Sequence, residues 1–209
     1  MSNEHSRDAH YKMAKREGYR ARSAYKLLEI QKRFNIFKRA FYILDLGSAP
    51  GSWLQVAKKF ATENLEKYND DSYYRDHFKI MGVDIKKLVP IEDIKIIKMD
   101  FTNPDFSKEL DSYFQGEKLD LIISDASIKK SGVKFSDQVK QYNLCYNILE
   151  FSKYLKKKGN IVIKVFQGAD FNKFYTKLKQ QFGFLKSYKP KSSKKKSNEI
   201  YIIGLKKLF

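Results

Sequence analysis

FYILDLGSAPGSWLQVAKKF (41–60) is the stretch on which the fold turns. Phe41 to Asp45 is short and apolar, as a buried strand is. Trp53, Val56, Ala57 and Phe60 then recur at i, i+3, i+4 and i+7, the stripe of an amphipathic helix. DLGSAPGSW (45–53) must therefore be a tight turn from strand into helix. Gly47 permits the turn, Gly51 lets backbone approach a ligand closely, and Pro50 sets φ just before the helix begins. A dinucleotide fingerprint would need G-x-G-x-x-G here. Only Gly47 and Gly51 are present, and no phosphate-binding lysine follows them. Pyrophosphate is a poor fit to such a turn. A cofactor that joins adenosine to an amino acid, such as S-adenosylmethionine, fits better, with Gly47, Ser48, Ala49, Pro50 and Gly51 around its amino-acid end. A nicotinamide is the open alternative.

Outward from this turn the chain alternates strands and helices. KIMGVD (79–84), IKIIKMD (94–100), LDLIISD (119–125) and NIVIKVF (160–166) read as strands, and FGFLKSY (182–188) with EIYIIGL (199–205) as a closing strand pair. Helices are expected from Ser23 to Phe34, with a Glu29–Arg33 pair at i,i+4, from Trp53 onward, from Asp105 to Phe114, and along Phe171, Phe174, Tyr175, Leu178 and Phe182. A long helix after Asp125 should be capped near Ser136 or Asp137 and closed by Lys156, Lys157, Lys158 and Gly159. Residues 1–20 form a basic, partly helical arm. TENLEKYNDDSYYRDHF (62–78) reads as a loop or irregular insertion, and KPKSSKKKSN (189–198) as a flexible basic loop. Short apolar strands between amphipathic helices predict an α/β fold, a doubly wound, mostly parallel seven-stranded sheet with helices on both faces.

Asp45, Asp84, Asp100 and Asp125 each close, or nearly close, one of the predicted parallel strands. Ligands of open α/β sheets bind beyond those strand ends. One acidic strand end is ordinarily a turn or helix cap; four in one sheet suggest a polar cofactor crossing the strand tips. Asp84 would then face its ribose hydroxyls and Asp100 its adenine amino group. Lys164 stands inside the apolar run IVIKVF, where its amine must reach a polar site or suffer desolvation.

The chain has 209 residues, 42 Lys and Arg against 24 Asp and Glu, a net charge of +18, and 42% hydrophobic residues, which excludes a largely disordered chain. Cys145 stands alone, so neither a disulfide framework nor a CxxC metal site exists, and a reducing compartment is expected. His5, His10 and His77 lack ligand spacing, so no metal is expected. No run approaches a membrane span, and the charged start MSNEHSRDAHYKMAK is unlike a secretory signal, so the expected location is the cytoplasm. The charge implies a polyanionic partner. It clusters at Lys12, Lys15, Arg16, Arg20, Arg22 and Lys26, and again at Lys186, Lys189, Lys191, Lys194, Lys195 and Lys196. Tyr11, Tyr19, Tyr25 and Tyr188 are interleaved as stacking faces for unpaired bases. The two segments could line one groove, which supports nucleic acid without choosing DNA or RNA.

GYRARSAYKLLEI (18–30), DLGSAPGSWLQV (45–56), SDAS (124–127), IVIKVFQG (161–168) and KPKSSKKKSNEIYII (189–203) together resemble the FtsJ (RrmJ/RlmE) family of S-adenosylmethionine-dependent RNA ribose 2′-O-methyltransferases. They span nearly the whole chain in the family's order. The resemblance implies a class I, Rossmann-like methyltransferase, one domain over 1–209 (a basic arm and helix over 1–34, a catalytic core over 35–209), acting as a monomer. It implies a catalytic tetrad at Lys26, Asp125, Lys164 and Glu199, and cofactor contacts at Gly51, Trp53, Asp84, Asp100 and Asp125, with S-adenosylhomocysteine as product. Lys164 is expected to orient the attacking hydroxyl and finally receive or relay its proton. Asp125 would hold Lys164 and the hydroxyl, with Lys26 and Glu199 completing a charge-balanced frame. The implied substrate is a uridine of large-subunit ribosomal RNA or the large ribosomal subunit. A transfer RNA anticodon loop and a non-catalytic RNA-binding assembly factor are the alternatives. Two departures stand out: the family's D-M-A-P reads Asp125-Ala126-Ser127-Ile128, and the 62–78 stretch lengthens the path from Trp53 to Asp84.

Overall fold

In a computed structural model, which describes residues 9–68, 75–129, 131–194 and 197–209, β1 (Tyr42–Leu46) is buried at every position. Five consecutive buried residues require cover on both faces of the strand. Ile43 packs on one side with Leu27, Ile30, Trp53, Leu54, Ile80, Leu121 and Tyr201. Leu44 and Leu46 pack on the other with Phe106, Ile148, Leu149, Ile163 and Phe174. The period of two along β1 thus feeds two separate cores.

The remaining strands are β2 (Lys79–Asp84), β3 (Ile94–Lys98), β4 (Leu119–Ser124), β5 (Leu155–Phe166), β6 (Phe182–Tyr188) and β7 (Glu199–Lys207). Their order is β3-β2-β1-β4-β5-β7-β6. All run parallel except β7, which is antiparallel to both neighbours. The helices are α1 (Ala9–Arg16), α2 (Ala24–Phe34), α3 (Ser52–Lys67), α4 (Asp105–Phe114), α5 (Lys134–Glu150) and α6 (Phe171–Lys179). Consecutive strands run outward from β1 to β3 and then return to β4, so the order reverses between β1 and β4. A crevice opens there beyond the carboxyl ends of the strands. Among the described residues no helix is long and apolar enough to cross a membrane.

Four expectations need correction. The first part of 62–78 is not a loop, because α3 continues to Lys67. Ala61 and Asn64 are buried there, and the Asn64 amide donates to the carbonyls of Phe37 and Ala40. That polar residue is bought into the core by two hydrogen bonds, which a hydropathy pattern cannot register. The end of the expected loop, 75–78, is described, and 69–74 lies outside the described residues.

Second, Lys156, Lys157, Lys158 and Gly159 do not close a helix. α5 begins at Lys134 and stops at Glu150, a 3₁₀ turn covers Phe151–Tyr154, and β5 begins at Leu155. Leu155 already pairs with Leu119, while Leu121 pairs with Asn160, so the lysines bulge out of the ladder. Asp137, in the first turn of α5, accepts from the backbone of Ser131 and Gly132. Third, the Glu29 carboxylate accepts from the backbone N–H groups of Lys191 and Ser192, at 2.7 and 2.9 Å, in place of an Arg33 pair. Fourth, the start of the 189–198 loop is consequently docked, with Pro190, Ser192 and Ser193 buried. Lys195 and Lys196 lie outside the described residues.

Candidate active site

The glycine turn closes the crevice from below. Gly47 has φ +78, and a Cβ on it would stand 2.5 Å from the Cβ of Ala126, so the turn and the loop after β4 touch backbone to backbone. Gly51 has φ +104 and leaves room for the Arg20 guanidinium, which a Cβ would meet at 2.8 Å. Arg20 donates to the carbonyls of Pro50, Val89 and Pro90. One of the basic residues of the amino-terminal arm is therefore a clamp on the turn. Asp84 closes the same ring: its carboxylate accepts from Ala49 N–H and Lys86 N–H at 2.9 and 2.8 Å.

Above the turn lies a cavity of about 400 Å³, lined among others by Gly47, Ala49, Asp84, Asp100, Asp125 and Ala126. Asp100 accepts from the Thr102 N–H and hydroxyl. Beneath it is Asp45, wholly buried, with neither carboxylate oxygen hydrogen-bonded. Burial, and then the charges of Asp125 and Asp84, push its carboxyl well above the ordinary range.

The tetrad forms at the edge of this cavity. Lys164 Nζ is 3.2 Å from Asp125 Oδ1 and donates to the Asp125 carbonyl at 2.5 Å. Lys26 Nζ is 2.5 Å from Glu199 Oε1 and 3.9 Å from Asp125 Oδ1. Both lysines are buried, at 9% and 6% exposure for Lys26 and Lys164. Two ammonium and two carboxylate groups leave the cluster with no net charge, the condition under which buried charges are tolerable. The positions follow from the topology. β5 lies between β4 and β7, so Lys164 faces the end of β4 on one side and Tyr201 on the other. Glu199 opposes Phe166, and α2 brings Lys26 across from above.

Tyr201 was not among the expected site residues. Fully buried, it donates to Asp125 Oδ1 at 2.6 Å and lies 3.2 Å from Glu199 Oε1. Its ring is 5.7 Å from that of Trp53 and 5.7 Å from Lys26 Nζ. Burial, and then the two carboxylates, push its phenol well above the usual value of 10.0, so the hydroxyl keeps its proton. The signal lay in E-I-Y, where Glu199 and Tyr201 share one face of a strand. Gln141 is a second addition: buried in α5, it accepts from Ile128 N–H at 3.2 Å and donates to the Ala126 carbonyl at 3.4 Å, bracing the loop that lacks the family's proline.

Of the expected cofactor residues, Gly47, Ala49, Asp84, Asp100 and Asp125 line the cavity. Ser48, Pro50, Gly51 and Trp53 do not line it. Ser48 is buried against β2, Pro50 is exposed and Gly51 is covered by Arg20. The Trp53 indole is 2% exposed and donates to the Ser23 carbonyl at 2.8 Å, with Ser23 and Ser52 hydroxyls 2.8 Å apart. The Glu29 anchor joins α2 to the start of the 189–198 loop and the Lys26–Glu199 pair joins it to the start of β7, so the helix that follows the arm and the loop are neighbours.

The chain is 36% identical over 202 residues to a ribosomal RNA large subunit methyltransferase E of Chromobacterium violaceum, covering 96% of this chain and 92% of that protein. It is also 36% identical over 204 residues to the protein of that name in Methanothermobacter thermautotrophicus, covering 96% and 90%. A Plasmodium falciparum protein of solved structure, assigned as a ribosomal RNA methyltransferase, superposes with a TM-score of 0.75 at 29% identity over 91% of this chain and 99% of that one. Residues 19–207, from the Arg20 clamp through the glycine turn to the last strand, match the family as a whole, and the chain belongs to the FtsJ-like methyltransferases.

Proposed function

We propose that this chain transfers a methyl group from S-adenosylmethionine to a ribose 2′-hydroxyl of RNA, at a uridine of large-subunit ribosomal RNA. The observation that carries the reading is the convergence of Lys26, Asp125, Lys164 and Glu199 at the edge of the strand-tip cavity. The names of the relatives support ribosomal RNA as the substrate class, and that substrate makes the cytoplasm the working compartment.

The residues present fit such a cofactor. Gly47 and Ala49 offer backbone, Asp84 a carboxylate for ribose hydroxyls, Asp100 a carboxylate for an adenine amino group, and Asp125 belongs to both cavity and tetrad. Ser48, Pro50, Gly51 and Trp53 act from behind, fixing the turn and the start of α3. S-adenosylmethionine supplies an electrophilic methyl group on a sulfonium.

The chain's own residues do the positioning. Lys164 is fixed through two contacts to Asp125, one of them to the main chain, so its amine has one orientation. Placed against the 2′-oxygen, that amine orients a lone pair for in-line attack, which lowers the barrier by proximity. The 2′-hydroxyl becomes acidic only as its oxygen bonds carbon. Its proton leaves late, as the oxygen bonds carbon, and ends on the Asp125 carboxylate, by relay through the Lys164 ammonium, which gives one proton to Asp125 as it takes another, so no strong resting base is needed. Lys26 and Glu199 hold the frame neutral, and Tyr201 keeps Asp125 turned toward Lys164.

The test is incubation of ribosomal and transfer RNA from a strain lacking the gene with the chain and methyl-labelled donor, followed by alkaline hydrolysis. Label in an alkali-resistant dinucleotide of large-subunit ribosomal RNA is expected. Label confined to transfer RNA would overturn the substrate, and no label in either RNA would overturn the activity.

A further inference from the structure

The opposite end of the sheet carries a second basic site. A cleft of about 490 Å³ opens between the end of α2, the bulge at the start of β5 and the end of β7. Lys38, Arg39, Lys157, Lys158 and Lys206 line it. The floor is Asp120, 3% exposed, whose Oδ2 accepts from the backbone of Phe41 and Tyr42 and whose Oδ1 pairs with Lys156. That carboxylate is already committed. Among the described residues no carboxylate stands within ion-pair distance of the Lys38, Lys157, Lys158 or Lys206 amines, and all four side chains are exposed.

The backbone gives an independent reason to regard the cleft as more than a solvated face. Six non-glycine residues among those described have positive φ, and four of them line this cleft: Asn35 (51), Arg39 (54), Lys158 (67) and Lys206 (59). Glycine adopts this conformation at less cost than any side chain with a Cβ. Three of the four positions nevertheless hold cations: Lys158 and Lys206, exposed at the cleft, and Arg39, whose guanidinium lies over the Tyr68 ring. Strain concentrated where charge is concentrated is the mark of a site rather than of a connection.

We propose that this cleft is a second RNA-binding site, one that takes the phosphodiester backbone of a segment flanking the methylated one. It rests on RNA as the substrate. From Asn160, where the regular ladder of β5 resumes, to Lys164 is four residues, about 13 Å at strand rise, and Lys158 lies beyond that in the bulge, so the cleft and the tetrad stand at opposite ends of the strand and meet different phosphates. Contacts of this kind read charge and not sequence; they would set register and affinity while the tetrad selects the sugar.

The experiment compares three proteins for binding to an in-vitro transcript of large-subunit ribosomal RNA across a salt series. They are the natural chain, a cleft variant (Lys38→Ala, Lys158→Gly, Lys206→Gly) and a control variant (Lys108→Ala, Lys173→Ala, Lys179→Ala) that loses the same charge from the exposed faces of α4 and α6. The cleft variant should bind on the order of tenfold more weakly, with a salt slope shallower by about two, since each phosphate contact contributes roughly 0.7 to 0.9. Its affinity for S-adenosylhomocysteine should be unchanged, and its melting temperature unchanged or higher because glycine relieves the left-handed positions. The control should behave as the natural chain. Equal affinity and slope in the cleft variant overturn the proposal and leave an acidic protein segment as the occupant to test. An equal loss in the control overturns it too, as bulk charge. Failure of the natural chain itself to bind the transcript overturns the RNA reading together with this one.

Discussion

Asp45 and Asp120 are both buried, at opposite ends of neighbouring strands, and the molecule treats them in opposite ways. Asp120, at the start of β4, satisfies two backbone N–H groups and an ammonium. It ties β4 to the chain entering β1 and to the bulge of β5. Asp45, at the tip of β1, has no partner for either oxygen. A buried charge is stable when paired and costly when alone, so one end of the sheet is built for stability. The other end holds an unsatisfied group under the glycine turn, beside the cavity proposed to take the cofactor. An unpaired buried polar group is costly, and one kept in a folded chain calls for an explanation, of which a functional role is one.

This contrast can be broken or sharpened by substitution. The largest effect is expected at the reactive end. Lys164→Ala should slow methyl transfer in single-turnover assays by about 10³-fold or more, with S-adenosylhomocysteine affinity in calorimetry staying within roughly threefold. A matching loss of cofactor affinity would make Lys164 a binding residue and sink its assignment to the acceptor. At the structural end, Asp120→Ala should cost about 3–5 kcal/mol, seen as a melting temperature lower by on the order of 10 °C. A shift of only a degree or two would mean that water replaces the carboxylate, and that the contrast with Asp45 is empty.

Tyr201→Phe keeps the tilted ring contact with Trp53 and removes one hydroxyl. Loss of a hydrogen bond to a charged group, about 1.5–3 kcal/mol, should lower the transfer rate by roughly 10- to 100-fold without changing cofactor affinity. An unchanged rate would show that Asp125 needs no help in facing Lys164. The smallest effect is a pH dependence. Above its ordinary value of 3.8 the Asp45 carboxyl ionises in the unfolded chain while burial keeps it protonated in the folded one. The native state then holds more protons, so stability falls as pH rises from there through the raised folded value. Asparagine does not titrate. Asp45→Asn should therefore melt higher than the natural chain at about pH 8, with the advantage fading toward pH 4. An advantage equal at both pH values would trace to packing and not to ionisation.

Much of the cofactor end was legible before any coordinates. The glycine turn is a contiguous stretch, and the strand-end aspartates follow from local hydropathy, so neither depends on distant neighbours. Lys164 announced itself as a charge in an apolar strand. Its three partners came from the family resemblance, since Lys26 on a basic helix and Glu199 beside a lysine run have unremarkable readings of their own. Trp53 shows the reverse case: expected at the cofactor, it is buried against Ser23 and Tyr201. Asn64 and Glu29 misled for one reason, that a polar side chain satisfied by backbone is indistinguishable in sequence from one satisfied by water.

The order of strands and helices, the two-sided burial of the sheet and the glycine turn belonged to the sequence by itself, because periodicity and backbone permissiveness act over a few residues. The lysine bulge at the start of β5, the basic cleft it helps to build and the place of Tyr201 were decided only by the tertiary structure. Each depends on register: Leu155 must pair with Leu119, and Lys164 with Tyr201, across strands that local sequence cannot align. Pairing energy is non-local, and only the folded sheet says which charge lies opposite which ring.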